Sequence, residues 1–512
     1  MRSEAPRVSI IGAGISGLSL GIYLQRHGFR TEIYEKHAIP GGLCTSWKKG
    51  EYMIDGCAHW ILGSAPGSSF YKIFNELIDM PSVPFHNHDV RMVVELKKNR
   101  DKYGRNAFYL YTNLDQLQAY LLDLSPDDAH LIKPFIRDMR YMQRYDLPPI
   151  MDKVPWFQAM IRGIKMSRYL LFLPILWKWS RLTNYTFAAR FKSPFLQEAF
   201  HYLYDQEEVK MLILMMPISF FDVKSCGYPL GGSYSFAKRF EEGYIQSGGK
   251  IHYKKPVREI LTENNQAVGI VLRDGTPIRS DIVISSSDWK FTVSDLLHKR
   301  YLSKAMNQLL EGKNLEIFYS VIQISLGISR DMKEYPHFFR FPLEEPLPCP
   351  DGNTFERMEV HLYHYDPAMA PEGKTTLVVS FYTLYREFWI DLRANDRRQY
   401  REIKAAFTEQ VIQRLQTRLG SDFSACIEMK DMATPATIYR YTNNWKGSTQ
   451  GWLPGKNLIA SSPVKFTLPG LRNFYYASHW NQPGGGLPVA VITARDACKK
   501  ICSDYKIPFK PV

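Results

Sequence analysis

The chain opens on a pattern of apolar and small residues that predicts a strand, a helix and a second strand. Residues 8–11 are largely apolar, as in a buried parallel strand, and residues 30–34 form a second short run. The mostly apolar stretch that begins with Ile15 and Ser16 predicts a helix between these two strands. An acid, Glu35, closes the second strand.

Three glycines and this acid predict a dinucleotide site. Gly12 permits a sharp turn out of the strand, Gly14 lets the backbone approach a pyrophosphate, and Gly17 lets the helix pack close to the sheet. The phosphates would lie at the helix N-terminus, where free N–H groups favour negative charge. Glu35 stands where a carboxylate binds ribose hydroxyls, and Lys36 adjoins it.

Later patterns are shorter and more varied. Alternating runs with a tight turn between residues 251 and 275 predict a β-meander. Helices are predicted at 234–246 and 489–501, a mainly helical region at 89–224, and a mixed region at 311–440. The mixed region contains predicted strands near 315–327 and 375–385 and a predicted helix near 399–419.

The loop after Glu35 resembles that of a known family. It contains Gly41, Gly42, Leu43 and Thr45 and precedes a strand that ends at Asp55. This is similar to the flavin-binding pattern of the phytoene desaturase, carotenoid isomerase and retinol saturase group, which is related to the amine oxidases. The resemblance implies FAD as the resident cofactor. Leu43 departs from the family, which commonly carries Arg there.

Two further segments carry the same resemblance. Ser478, Gly485, Gly486 and Leu487 belong to a segment similar to the family's closing flavin motif, although the family usually has Gly where Ser478 stands. A Tyr-Pro-x-Gly-Gly stretch at 228–232 also matches. By resemblance, Val257 contacts adenine through its backbone, and the run at 281–287 is a strand that returns to the main sheet.

The resemblance implies an α/β fold with a Rossmann-like FAD-binding domain of the glutathione reductase and amine oxidase type, interwoven with an α+β substrate domain. A chain of 512 residues is too long for a single core, which agrees with more than one domain. We predict a discontinuous FAD-binding domain at 1–88, 225–312 and 455–512. The substrate-binding domain then takes 89–224 and 313–454.

Charge and apolar patterning favour a membrane surface as a partner. The net charge is +14, which attracts anionic surfaces. At 156–182, basic residues fringe an apolar stretch with tryptophans, as in a helix that lies in a membrane surface. A buried helical hairpin broken at Pro174 is the alternative. No signature of a nucleic-acid module and no apolar run long enough for a transmembrane helix is present.

The cysteines and the start of the sequence indicate the cellular compartment that we expect for the protein. The seven cysteines are odd in number and scattered, so we expect reduced thiols, no disulfide framework and no metal site. Cys498 and Cys502 would share one helix face, but no cluster of histidines accompanies them. The first strand begins without room for a signal peptide. We expect a cytoplasmic protein that is peripheral to a membrane, of unknown oligomeric state.

The resemblance implies an FAD-dependent oxidoreductase that desaturates or saturates carbon–carbon double bonds of a long apolar, isoprenoid-like substrate. His59 and His479 are candidate proton-transfer residues, or they only hydrogen-bond the flavin or the backbone. Electrons would come from transient NAD(P)H or another external donor or acceptor. One alternative is a redox-neutral cis/trans isomerase of a polyene. The other is a non-enzymatic prenyl carrier of the GDP-dissociation-inhibitor type, against which the intact Gly41–Gly42 loop and Glu35 speak.

Overall fold

A five-stranded parallel sheet gathers strands from both ends of the chain. The computed structural model describes residues 5–57, 59–144, 170, 172–204, 209–313, 315–453 and 464–511. The sheet has the order β10-β2-β1-β14-β20, and its strands are β1 (Arg7–Ile11), β2 (Arg30–Tyr34), β10 (Lys250–His252), β14 (Ile282–Ser285) and β20 (Phe474–Tyr476). Strand order reverses at β1, and ligands of open α/β sheets bind at such a switch point.

Helices cover one face of this sheet and a β-meander lies towards the other. The helices are α1 (Ile15–Arg26), α9 (Gly232–Gln246) and α14 (Gly486–Asp504), and their apolar sides share a core with β1. The meander consists of β11 (Val257–Glu263), β12 (Gln266–Leu272) and β13 (Pro277–Arg279). Parallel strands need cover on both faces, which explains why their sequences are mostly apolar.

A seven-stranded sheet forms the second half of the fold. Its order is β19-β15-β18-β17-β16-β7-β8, and all pairs are antiparallel except β16 with β7. The strands are β7 (Val90–Glu95), β8 (Ala107–Tyr111), β15 (Ser320–Ile328), β16 (Phe338–Pro348), β17 (Thr354–Leu362), β18 (Thr375–Thr383) and β19 (Ile427–Ala433).

The two faces of the seven-stranded sheet have different surroundings. Met358, Val360 and Leu362 of β17 belong to a core that also contains residues of the long helix α12 (Arg397–Leu419). Glu359 and His361 alternate with them and line a cavity on the opposite face. Because successive side chains of a strand point to opposite faces, one strand serves both the core and the cavity.

The other elements are mainly helical and close the space around the two sheets. Before residue 225 they are β3 (Ser46–Lys49), β4 (Tyr52–Asp55), β5 (Ile61–Leu62), α2 (Ser69–Asn75), β6 (Phe85–His86), α3 (Leu114–Leu124), α4 (Ala129–Arg144), α5 (Leu173–Arg181), α6 (Asn184–Ala188), α7 (Pro194–His201) and α8 (Met211–Asp222). After it come β9 (Cys226–Pro229), the π-helical turn Phe291–Leu296, α10 (Lys304–Leu310), α11 (Arg386–Asn395) and α13 (Pro435–Thr442).

The predicted α/β fold is confirmed, while the substrate-side topology differs from the prediction. Strands β7 and β8 lie in the region expected to be mainly helical, and β16, β17 and β19 were not predicted. Their sequences interrupt apolar runs with buried charges such as Arg340 and Glu359, which hides the strand pattern. The predicted division into an FAD-binding and a substrate-binding domain stays a prediction.

The predicted membrane-facing segment is described only in its last part. Residues 156–169 and 171 lie outside the described residues. The remainder contains α5, on which Leu173 and Trp177 are 48% and 63% exposed. Among the residues that the structure describes, no helix is both long enough and apolar enough to cross a bilayer.

Buried neutral histidines make the stability of the fold sensitive to acid. Burial lowers the pKa of His88 to about 2, and its ring stacks on His337 with centroids 3.4 Å apart. An unfolded histidine gains a proton below about pH 6.5, whereas the folded His88 stays neutral. The free energy of unfolding therefore falls as the pH is lowered from 7 to 5, by about 2 kcal/mol for this residue.

We expect His88→Gln to remove about 2 kcal/mol of this pH dependence, measured by urea unfolding at both pH values. His130→Gln, at an exposed position, is the control and should leave the dependence as in the unsubstituted protein. Equal pH dependence in the His88 variant and the unsubstituted protein would contradict this assignment.

Candidate active site

The glycine turn after β1 has the geometry that the sequence predicts. Gly12 adopts φ +100° and donates its N–H to the carbonyl of Tyr34. A Cβ added at Gly17 would lie 2.1 Å from the carbonyl oxygen of Gly12, so only glycine fits there. A Cβ added at Gly14 would meet no atom within 4 Å. The backbone at Gly14 is therefore open to a ligand at the N-terminus of α1.

Glu35 is held at the end of β2 by the backbone around the turn. One carboxylate oxygen accepts the N–H of Ala13 at 2.7 Å, and the other accepts the N–H of His37 at 2.7 Å. The residue is 8% exposed and lines the cavity. Two lone-pair positions remain on the carboxylate, enough to accept two hydroxyl groups.

Glycine segments from the two ends of the chain meet at the same cavity. Gly42 lies beside the turn, because a Cβ added there would be 3.3 Å from the Cα of Gly14. Gly485 adopts φ +47°, and a Cβ added there would lie 1.9 Å from the carbonyl oxygen of Gln450. Gly485 and Gly486 stand at the start of α14 and line the cavity. The start of α14 and the loop at Gly42, which lies beside the N-terminus of α1, therefore border one cleft.

This cleft continues into a large, mostly apolar chamber. The combined cavity has a volume of about 1370 Å³. Its cleft end is lined by Glu35, Gly42, Leu43, Thr45, Gly485, Gly486 and Leu487, all of which the sequence analysis singles out. Its chamber is lined by Trp60, Leu110, Ile213, Leu214, Ile218, Phe221, Val321 and Phe338, among others. A cofactor in the cleft and an apolar molecule in the chamber would share one continuous space.

The other predicted cofactor residues stand behind or beside the cavity wall. Gly12, Gly14, Gly17, Ile15 and Ser16 form the turn and the start of α1, and Gly41 donates its N–H to Ala13. Lys36 donates to the side chain of Asn443 at 2.6 Å, and burial lowers its pKa to about 8. Val257 is buried in a core of the meander, and Ser478 accepts the N–H of Trp480. Their direct contact with a cofactor stays a prediction.

One wall of the chamber carries a buried charged cluster that the sequence analysis did not find. Arg340 and Glu359 are register partners on β16 and β17 and form an ion pair. Glu359 also contacts His361, with 3.1 Å between the carboxylate and Nε2. Burial alone would raise the pKa of Glu359, but Arg340 and His361 hold it far below its usual range. The cluster gives this wall a fixed charge pattern.

The sequence contained only an indirect signal for this cluster. Charged residues within apolar runs mark Arg340 and Glu359 as unusual, since unpaired charges are rarely buried. Pairing them requires the register of β16 and β17, which lie in a region where those strands were not predicted. Arg91, Tyr204 and Tyr382 line the same wall and were missed for the same reason.

The two candidate histidines occupy different places. His59 lines the cavity and stacks on His361 with centroids 4.1 Å apart. His479 packs against Trp480 and is not part of the cavity wall. Burial lowers the pKa of His59 well below 6.5 and that of His479 to about 4, so both rings are neutral near pH 7. A proton-transfer role stays a prediction for both, and of the two only His59 can meet a ligand in the cavity.

The cysteines are free, and two of them have a histidine neighbour that the sequence did not suggest. Cys498 and Cys502 lie 3.8 Å apart, and His27 comes within 4.8 Å of them. Nδ1 of His27 lies 2.6 Å from the carbonyl of Tyr23, and Nε2 lies 3.0 Å from the N–H of Lys510. Both ring nitrogens are thus used in backbone hydrogen bonds. The expectation of no metal site stays a prediction.

The turn, the cleft and the parallel sheet form a Rossmann-like dinucleotide-binding fold. The first segment, residues 10–77, matches the family model described as NAD(P)-binding Rossmann-like domain. Among solved structures, an oxidoreductase from Methanosarcina mazei shares 17% identity with a TM-score of 0.56, covering 96% of this chain and 100% of the other. A putrescine oxidase mutant shares 12% identity with a TM-score of 0.58, covering 98% and 99%.

The curated relatives indicate which kind of flavoprotein the chain resembles. A 4,4'-diapophytoene desaturase of Methylomonas sp is 22% identical over 100% of this chain and 98% of its own length. A prolycopene isomerase of Arabidopsis thaliana is 23% identical over 98% and 83%, and one of Daucus carota is 27% identical over 55% and 45%. These matches confirm the predicted resemblance of the chain to carotenoid desaturases and isomerases.

The charged cluster generates a stability prediction. Glu359→Gln keeps the shape of the side chain but removes the negative charge that compensates Arg340, so we expect a loss of about 3 kcal/mol in the free energy of unfolding. Urea unfolding measures the change. Glu356→Gln, at an exposed position on the same strand, is the matched control and should cost less than about 0.5 kcal/mol. Equal costs for the two variants would show that the ion pair does not stabilise the fold.

Proposed function

We propose that the protein is an FAD-dependent oxidoreductase that desaturates or saturates carbon–carbon double bonds of a long apolar, isoprenoid-like substrate. The observation that carries the proposal is the continuity of the cavity. Glycine backbone and Glu35 line one end, and aliphatic and aromatic side chains line the other. The names of the desaturase and isomerase relatives agree with a polyene as the substrate.

The residues of the cleft fit FAD. Glu35 has free acceptor capacity for ribose hydroxyls, and the open backbone at Gly14 lies where a pyrophosphate meets the N-terminus of α1. The start of α14, at Gly485 and Gly486, would direct backbone donors and a helix dipole at an electron-rich edge of the flavin. When bound, FAD supplies the hydride acceptor or donor.

The residues of the chamber would hold the substrate and exclude water. Leu214, Ile218 and Phe221 come from α8, and Phe338 and Val321 come from the facing sheet. Burial of an apolar chain between these walls contributes about 25 cal/mol for each Å² removed from water. The protein therefore needs few polar groups at the reacting carbons, and His59 is the candidate to hold or move a proton there.

The outer surface beside the chamber suits contact with a membrane that supplies the substrate. Ser180 of α5 lines the cavity, while Leu173 and Trp177 of the same helix are exposed. Arg181 stacks on Trp177 at 4.1 Å, so an apolar surface has a basic fringe. We infer a peripheral, cytoplasm-facing membrane association in which the substrate enters near α5. Transient NAD(P)H or another external partner would exchange electrons with the flavin.

The first test measures the cofactor. We expect purified protein to show flavin absorption after loading with FAD, and Glu35→Gln to weaken FAD binding about tenfold because it removes a charge-assisted hydrogen bond. Fluorescence titration with FAD measures the affinity. Glu32→Gln, on β2 three residues before Glu35 and outside the cavity wall, is the control. A protein that cannot be loaded with FAD would overturn the oxidoreductase and favour a lipid carrier.

The second test measures the reaction. The flavin is reduced without oxygen and a polyene such as lycopene is added in detergent micelles. Recovery of the oxidised flavin spectrum supports saturation of the polyene. In a separate experiment, oxidised flavin is mixed with a more saturated polyene, and bleaching of the flavin supports desaturation. A change of polyene geometry with unchanged flavin would instead assign a redox-neutral isomerase, the activity in the name of the Arabidopsis relative.

The third test concerns His59. If the ring moves a proton, we expect His59→Asn to bind FAD normally and to lower turnover about 100-fold, with loss of the solvent isotope effect. Stopped-flow measurement of the flavin step in H₂O and D₂O provides the rates. His479→Asn serves for comparison, since His479 is not on the cavity wall. Unchanged turnover in the His59 variant would leave the ring with a packing role only.

A further inference from the structure

Arg91 places a further positive charge in the wall of the mostly apolar chamber. It lies on β7 and lines the cavity. Its guanidinium lies over the rings of Phe221, at 5.2 Å from the centroid, and Phe338, at 4.9 Å. Within the described parts of the chain it makes neither a hydrogen bond nor an ion pair. The two rings attract the cation but offer no hydrogen-bond acceptor to its five N–H donors.

The charged groups nearby are committed elsewhere. Glu359 faces Arg91, but its two oxygens already contact Arg340 and His361. Burial lowers the pKa of Arg91, as expected for a cation removed from water. Arg91 is half-buried, and removing part of a cation from water is costly unless a partner compensates the charge, so an anionic group of a ligand would supply that partner.

Tyr204 adds a second donor to the same wall. It lines the cavity, and among the described residues its hydroxyl has no hydrogen-bond partner. Arg91 and Arg340 are both close enough to oppose the effect of burial, which raises the pKa of Tyr204. A guanidinium and a phenol thus stand near each other in the cavity wall.

We propose that Arg91 and Tyr204 bind the carboxylate end of the substrate, so that the substrate is an elongated apolar acid and not a pure hydrocarbon. This inference rests on the proposed function, because it places the substrate in the chamber beside the cofactor cleft. A carboxylate matches the planar donor edge of a guanidinium in a bidentate manner. A hydroxyl would leave the charge uncompensated, and a phosphate would bring a second negative charge towards Glu359.

The test compares three ligands that share one C15 isoprenoid chain: farnesoic acid, farnesol and farnesene. FAD-loaded protein is titrated with each, and quenching of tryptophan fluorescence is followed, since Trp60 lies in the cavity wall. We expect farnesoic acid to bind at least about tenfold more tightly than the alcohol or the hydrocarbon, because one charge-assisted contact corresponds to at least that factor.

Substitutions assign the preference to the two residues. Arg91→Met should abolish the preference for the acid while leaving the affinity for farnesene within about twofold. Arg91→Lys should keep part of it, because the charge remains but the fork geometry is lost. Tyr204→Phe should reduce it severalfold. Arg190→Met, at an exposed position, is the matched control and should bind all three ligands as the unsubstituted protein does.

Equal affinity of the unsubstituted protein for the three ligands, or a preference for the alcohol, would overturn the proposal without any variant. A preference for the acid that survives in Arg91→Met would also overturn it. The readout is separate from the proposed oxidoreductase activity. The same titration without FAD still reports the preference, so loss of FAD binding and loss of acid recognition are distinguishable results.

Discussion

A buried carboxylate, that of Asp55, ties together the parts of the chain that form the cavity. It accepts four hydrogen bonds: from the N–H of Cys57, the hydroxyl of Tyr228, and both the N–H and the hydroxyl of Ser233. Its backbone carbonyl accepts the side chain of Gln323 on β15. The cofactor loop, the start of α9 and the seven-stranded sheet are therefore joined at one residue. Burial raises the pKa of this carboxyl, and only its dense set of donors makes the charged form acceptable there.

The hydrogen bonds of Asp55, one of the predicted cofactor residues, are all made within the protein. It is not part of the cavity wall, and it holds the loop that carries Thr45 and His59 on either side of it. The space around it is small, because a Cβ added at Gly232 would lie 2.8 Å from its carboxylate. Asp55 therefore positions the backbone of the loop, and its direct contact with a cofactor stays a prediction.

The seven-stranded sheet explains how a large cavity and a stable core coexist. Leu377, Val379 and Phe381 of β18 pack in the core with helix α12, while Ser380 and Tyr382 line the cavity. The cavity wall is thus held by the same hydrogen-bonded ladders that hold the core. Charged side chains on that face can keep defined positions, as the Arg340–Glu359 pair does. A wall of this kind suits the orientation of one end of a ligand relative to the other.

The dinucleotide-binding half of the fold could be predicted from the amino-acid sequence alone. The spacing of Gly12, Gly14, Gly17 and Glu35 reports a local geometry that a few consecutive residues dictate, so it can be recognised without any tertiary contact. The charged wall of the chamber was decided only by the tertiary structure. Arg91 and Arg340 are far apart in the chain, and they share a surface because β16 pairs with β7 and the ladder of β7 is irregular between Val90 and Met92, so that Arg91 lines the cavity beside Met92 instead of alternating with it. Pairing between distant strands depends on packing of the whole molecule, which no local pattern of residues specifies.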